Sequence, residues 1–174
     1  MPMSVPMRRK RQRLSDDEAR SIMASGEYGV LVTGGTAADG YPYGVPLSYA
    51  FEACPAPGAP WGRIYFHGAP QGHKLDALAE NPRVSFVVVA HNETAPELLT
   101  TLYRSAMAFG EARIAEDDDE RRAGLEALGR RYCPGLDAKV AAEIEGSLAR
   151  TAVVVMDVEE LVAKEAIELV RARP

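Results

Sequence analysis

Tyr28-Gly29-Val30-Leu31-Val32-Thr33 is the point at which the apolar period of the chain changes from 3.6 residues to 2. Before it, Ser15-Asp16-Asp17-Glu18 has the spacing of a capping box, with Leu14 placed as a staple to Ala19. The helix opened there runs to about Ser25 and stops at Gly26. After the strand, Ala38-Asp39-Gly40 signals a turn, and Tyr41 to Phe51 reads as a hairpin partner. Pro42 and Pro46 interrupt that partner. Neither can donate to a ladder, so the strand is expected at an edge or bulged near Pro46.

Working outward, Cys54–Pro60 is a Pro-rich loop that leads into a short strand from Arg63 to His67. A short helix is expected from Gly72 to Glu80, stopped by Asn81-Pro82. Val84 to Ala90 is almost continuously apolar, as in a strand buried on both faces. A loop over Asn92–Leu98 and a long strand from about Thr101 to Ile114 follow. Glu116–Glu120 is a run of acids followed by Arg121 and Arg122, which places negative charge at the positive end of a helix dipole. Leu125, Leu128 and Tyr132 continue that helix's apolar stripe as far as Cys133-Pro134-Gly135. A further amphipathic helix fits Ala138–Leu148, Thr151–Val158 is a β-branched strand, and the last sixteen residues suit either strand or helix. About six strands with short connections and a few helices give a mainly β fold with accessory helices. Closure into a barrel is the expected way for such antiparallel strands to avoid open edges. The absence of strand–helix–strand alternation argues against a Rossmann sheet.

With 174 residues the chain fits one domain, expected over 14–174, behind a basic arm over 1–13 with no periodic pattern and expected to be mobile. The 20 Lys and Arg against 25 Asp and Glu give a net charge of −5. Five of the bases, Arg8, Arg9, Lys10, Arg11 and Arg13, lie in that arm with no acid, so the body is more acidic than the whole. An acidic body has no general attraction for phosphate backbones, and no aromatic platform accompanies the arm, so nucleic acid is not an expected partner. No apolar run reaches the roughly 18 residues that a spanning helix needs, and no apolar stretch follows the basic N-terminus as in a secretory signal. Cys54 and Cys133 suit reduced thiols, and a cytoplasmic location is expected.

No dinucleotide fingerprint, phosphate loop, zinc-protease helix or nucleophile elbow is present. His67 and His73 lack an evident third ligand, so no metal is expected. Three stretches can carry chemistry. In Tyr65-Phe66-His67-Gly68-Ala69-Pro70-Gln71-Gly72-His73-Lys74-Leu75 a strand ends and a helix opens beside an ammonium, which suits a phosphate; an ordinary strand-to-helix turn is the competing reading. In Tyr41-Pro42-Tyr43-Gly44-Val45-Pro46-Leu47-Ser48-Tyr49, Gly44 and Pro46 permit a close backbone approach to a flat ligand, with Val45 and Leu47 as an apolar wall. A bulged edge strand would explain the same residues. In Tyr103-Arg104-Ser105-Ala106-Met107-Ala108-Phe109-Gly110, a guanidinium early in an apolar strand needs an anionic or ring partner, or else forms a salt bridge at the surface.

Taken in order, these stretches with Glu27-Tyr28-Gly29-Val30-Leu31 and Arg150-Thr151-Ala152-Val153 resemble the FMN-binding split β-barrel family, the pyridoxamine 5′-phosphate oxidase-like proteins. Within it the likeness is to the 5-nitroimidazole-resistance (Nim-type) branch, over about residues 8–165. The resemblance implies a six-stranded antiparallel split barrel and a homodimer with FMN in two grooves at the subunit interface. Val45, Pro46, Leu47 and Ser48 would then line the isoalloxazine through main-chain contacts. His67, Gly72, His73 and Lys74 would lie around the ribityl-phosphate end. Tyr103, Arg104 and Ser105 would reach the flavin from the same or the other subunit. His67 matches the histidine regarded as functional in Nim-type proteins and is the catalytic candidate. The implied activity is flavin-mediated reduction of a small, nitroaromatic-type substrate by a nicotinamide donor. The alternatives are a flavin carrier or sensor without turnover, and the same fold holding haem or a deazaflavin. Ser48 stands where relatives often have Asn, the Cys54–Pro60 loop is longer than usual, and Lys164–Pro174 has only a loose counterpart. Pyridoxamine 5′-phosphate oxidase activity itself is not expected, because that enzyme's C-terminal Arg motif is not recognisable.

Overall fold

Residues 7–36, 40–54 and 58–173 are described by the structure, a computed structural model. The expected turn at Ala38-Asp39 and the centre of the Pro-rich loop lie outside these residues. Helix α1 (Asp16–Ser25) begins as its sequence predicts. Glu18 N–H donates to Ser15 Oγ at 3.3 Å, and Ser15 N–H donates back to Glu18 Oε2 at 2.8 Å. Gly26 closes the helix by donating to the Ile22 carbonyl at 3.0 Å.

Seven strands follow: β1 (Gly29–Thr33), β2 (Tyr43–Leu47), β3 (Ala50–Glu52), β4 (Arg63–Gly68), β5 (Arg83–Ala95), β6 (Thr100–Ile114) and β7 (Ala152–Glu165). They form one antiparallel sheet in the order β2-β1-β5-β6-β7-β4-β3. The hairpin partner expected over Tyr41–Phe51 is therefore two strands, β2 paired with β1 and β3 paired with β4. Those two lie at opposite edges of the sheet, yet only Ser48 and Tyr49 separate them. Laid flat, seven strands at about 4.8 Å spacing would put the edges almost 30 Å apart. Two linking residues bridge at most about 11 Å between Leu47 and Ala50. The sheet must therefore roll until its edges meet, closed by the chain rather than by a ladder between β2 and β3. That is a split barrel, mainly β with accessory helices α2 (His73–Glu80), α3 (Asp118–Tyr132), α4 (Asp137–Ser147) and α5 (Ile167–Arg171).

Rolling needs bends, and the ladders shift register between Val89 and His91 and between Phe109 and Gly110. Beyond the first shift β5 continues to Ala95, so most of the expected loop from Asn92 is strand. This outer part of the β5–β6 hairpin lies off the core, with Val89, Leu98 and Leu99 exposed. The uncertain C-terminal residues resolve as β7 to Glu165 and then α5.

Inside the barrel, Leu31, Ile64, Phe66, Phe86, Val88, Met156 and Val158 form the main core. The Phe86 ring meets Tyr49 and Phe66 edge-on at 4.7 and 5.0 Å. A second cluster sits outside the barrel wall, where Ala127 and Leu128 of α3 cover Tyr65, Val153 and Val155. β7 is thus buried on both faces, which is why its β-branched run shows no alternation. The basic stretch expected to be mobile is described from residue 7. Residues 10–12 make a 3-10 turn, Gln12 is buried, and Arg13 bridges to Lys164 at the end of β7.

Tyr49 is fully buried and donates its hydroxyl to the Met23 carbonyl at 2.7 Å, and burial pushes its pKa up to about 12. Tyr49→Phe strands that carbonyl and is expected to cost about 1–3 kcal/mol, read by urea unfolding. An unchanged midpoint would show the carbonyl satisfied otherwise. The capping box also predicts acid sensitivity. Hydrogen bonds from Ser15, with help from Arg173, lower the Glu18 pKa from 4.5 to about 2. A depressed carboxylate stabilises the fold above its unfolded value and loses that contribution as pH falls towards the folded one. Unfolding midpoints measured between about pH 4.5 and 2 should fall less steeply in Glu18→Gln than in the parent.

Candidate cofactor site

β2 pairs only with β1, so one side of its backbone is free of ladder partners, a consequence of the split. Its Gly44, Pro46 and the following Ser48 are exposed. Val45 and Leu47 pack their side chains against the core, so the apolar wall expected from them is turned largely inward. What this strand offers a flat ligand is main chain and the Pro46 ring.

The expected phosphate end lies beside it. Gly72, at φ 137°, is the N-cap of α2 and supplies no side-chain cap. Such a φ suits only glycine, and it turns the chain from β4 into the helix. The His73 ring stands edge-on to Tyr43 of β2 at 4.8 Å, which ties the helix start to the edge strand. Lys74 reaches back over the β4 turn: a Cβ added at Gly68 would lie 3.1 Å from its Nζ. Lys74 is half-buried, and burial lowers its pKa below the usual lysine value. Among the described residues it has no acid partner. A partly desolvated ammonium beside an uncapped helix start is chemically suited to an anion such as a phosphate, which would offset the desolvation already suffered.

His67 is exposed at the end of β4, opposite Val153 of β7. With Ser48 it borders a cleft of about 740 Å³ roofed by α3 and α4 and lined by Leu125, Leu128, Leu136, Val140 and Ile144 among others. Tyr132 lies on its wall and also fastens the barrel split. Its hydroxyl accepts from the Tyr49 N–H at 3.0 Å and lies 2.7 Å from the Glu27 carbonyl.

Tyr103, Arg104 and Ser105 do not join this group within one protomer. Arg104 is opposite Glu165 on β7, whereas His67 is opposite Val153. Twelve residues of strand separate those positions, a contour of roughly 40 Å. The salt-bridge reading of Arg104 holds in the protomer: its Nε donates to Glu165 Oε2 at 3.0 Å. Glu165 is 0% exposed, and its other oxygen lies 2.6 Å from Arg173 Nε, an ion pair not aligned as a hydrogen bond. Arg173 also pairs with Glu18, so the two guanidiniums are balanced by two carboxylates. Lys164 Nζ sits over the Tyr103 ring at 5.6 Å and places one further positive charge beside them.

Sequence reasoning passed over Tyr43, Gly68 and the α3–α4 walls. The signal for the last was present in the apolar stripes of two consecutive helices, which read as ordinary core faces. Among the described residues no three His, Cys, Asp or Glu side chains converge as metal ligands, no helix is long and apolar enough to cross a membrane, and Cys54 and Cys133 are free.

Comparison with known proteins bears on this arrangement. A conserved hypothetical protein from Mycobacterium tuberculosis superposes with a TM-score of 0.76 at 18% identity, over 97% of this chain and 94% of that one. A candidate 5-nitroimidazole antibiotic resistance protein from Bacteroides thetaiotaomicron gives 0.68 at 21%, over 88% and 86%. An FAD and haem binding protein from Mycobacterium smegmatis gives 0.69 at 22%, over 94% and 80%. At these identities the likeness is one of fold. No curated protein matches the sequence. The family model for pyridoxamine 5′-phosphate oxidase matches residues 15–165. That span starts at the cap of α1 and ends on the last residue of β7, taking in every strand of the barrel. The chain belongs to the pyridoxamine 5′-phosphate oxidase family.

Proposed function

We propose that this protein is an FMN-dependent oxidoreductase that passes reducing equivalents from a nicotinamide donor to a small acceptor of nitroaromatic type. The observation that carries the reading is Lys74, a half-buried ammonium without an acid partner among the described residues, set at the uncapped start of α2. The family match and the FAD-binding and nitroimidazole-resistance neighbours support a flavin over other ligands.

FMN, when bound, supplies the hydride chemistry that no protein side chain can. The chain's own residues bind and orient. Lys74, His73 and the first-turn N–H groups after Gly72 hold the phosphate. The free side of β2 from Val45 to Leu47, with Ser48, orients the ring through main-chain groups. His67, at the mouth of the neighbouring cleft, is the residue placed to hydrogen-bond an acceptor.

The separation of Tyr103, Arg104 and Ser105 from this group favours a homodimer in which a second copy brings them to the flavin. The outer β5–β6 hairpin, which carries them off the core, is the element able to reach across.

The visible spectrum of the purified protein tests the cofactor directly. A flavin spectrum released as FMN on denaturation, and bleached anaerobically by NADH or NADPH, is expected. A Soret band would overturn the flavin reading, and a flavin that never bleaches would leave a carrier. His73→Ala with Lys74→Ala removes one or two charge-assisted hydrogen bonds and should weaken FMN binding roughly 10- to 100-fold. Mixed and refolded with Arg104→Ala, Lys74→Ala should regain tight binding at about one quarter of sites, the share that symmetry gives a site shared between subunits. No recovery would place the whole site within one protomer.

A further inference from the structure

We propose that the cleft between α3, α4 and the Ser48–His67 end of the barrel binds a second small molecule, aromatic and carrying one anionic group. At about 740 Å³ it is of the size that holds an organic ligand and far larger than a single five-membered ring fills. α3 and α4 supply most of its lining and approach each other closely at one point. A Cβ at Gly129 would meet Val140 Cγ1 at 2.4 Å, so the backbones approach there as only glycine allows. The apolar residues around the opening are not shielded by the fold: Leu136 is 50% and Tyr132 39% exposed. An aromatic ligand lying between the helices would cover both.

Charge selects the rest of the ligand. Lys139 and Arg150 border the cleft against one carboxylate, Glu143, in a chain whose net charge is −5. Neither Lys139 nor Arg150 has an acid partner among the described residues, although most of the guanidiniums around α3 are paired. An anionic group on an apolar frame therefore finds walls for the frame and cations at the border. The cleft's place beside the flavin rests on the function proposed above; its ligand chemistry does not.

The probe pair 1-anilinonaphthalene-8-sulfonate and N-phenyl-1-naphthylamine shares one aromatic frame with and without the anion. Fluorescence titration of the full chain should show one sulfonate probe bound per chain, about tenfold tighter than the neutral one. Leu136→Glu, at an exposed position, and Val140→Glu should each weaken it about tenfold, and Lys139→Glu should abolish the preference for the anion. Equal binding of the two probes, or sulfonate binding untouched by all three substitutions, overturns the proposal. Circular dichroism melts show which variants keep the fold, and Leu136→Glu alone suffices if Val140→Glu does not. Flavin absorbance read on the same samples separates the two claims. Retained flavin without probe binding overturns the cleft alone, while probe binding without flavin upholds the cleft and overturns the cofactor assignment.

Discussion

The fold depends on one short connection. Ser48 and Tyr49 join strands at opposite edges of a seven-stranded sheet, and no flat arrangement satisfies that link. Tyr49 turns the link into a fastening. Its ring packs on Phe86 inside the barrel, its hydroxyl reaches the last turn of α1, and its backbone is gripped by Tyr132 from the end of α3. Arg131, next in the helix, lies over the Tyr49 ring at 4.7 Å and donates to the carbonyls of Ala24 and Gly26. Two helices distant in sequence are thus clamped on the place where hydrogen bonding between strands gives out.

The candidate site grows from the same place. A barrel closed by ladder bonds would have no free backbone at β2; a barrel closed by the chain keeps one side of β2 unpaired next to the crossing. The neighbouring strand end, β4, then delivers His67 and the turn into α2, so a strand edge, a helix start and a half-buried lysine meet at the split. Stability and binding are coupled there, because Tyr132 both fastens the crossing and walls the adjoining cleft.

Much of this was legible in local sequence. The capping box at Ser15 and Glu18 and the glycine turn before Lys74 follow from short-range rules that tertiary context did not override. Val84 to Ala90, expected to be buried on both faces, instead alternates: Val84, Phe86 and Val88 are buried, Ser85 and Val87 only partly so, and Val89 and Ala90 are exposed, because one face of β5 lies against the barrel core and the other does not. What escaped was set by long-range geometry. Tyr41–Phe51 has one continuous β pattern, and nothing local shows that Ser48-Tyr49 changes sheet edge, since the partners that decide it, Leu31 and Tyr65, are far along the chain. Asn92 to Thr94 are polar and so suggest loop, but they form the exposed outer ladder of a hairpin whose pairing with β6 outweighs their low β propensity. Glu165 gave no sign that it would be buried beneath Arg104, 61 residues before it in sequence. Family resemblance supplied the grouping of distant segments that periodicity could not.

The acidic composition acquires a specific meaning from how the cations are used. Arg63 pairs with Asp157, Arg113 with Glu120, Arg130 with Glu52, and Arg104 and Arg173 with Glu165. The five bases of the N-terminal stretch lie by the far end of β7, away from His67 and Lys74. Other bases without an acid partner among the described residues, such as Arg83, Lys139 and Arg150, are exposed, and water serves them at no cost. Lys74 differs in being half-buried, so its charge bears a desolvation cost that no described residue offsets. Folding alone would favour an apolar side chain or a nearby carboxylate at that position. A lysine held there makes physical sense when an external anion completes its environment, and that anion would meet the glycine-turned start of α2 beside the barrel split.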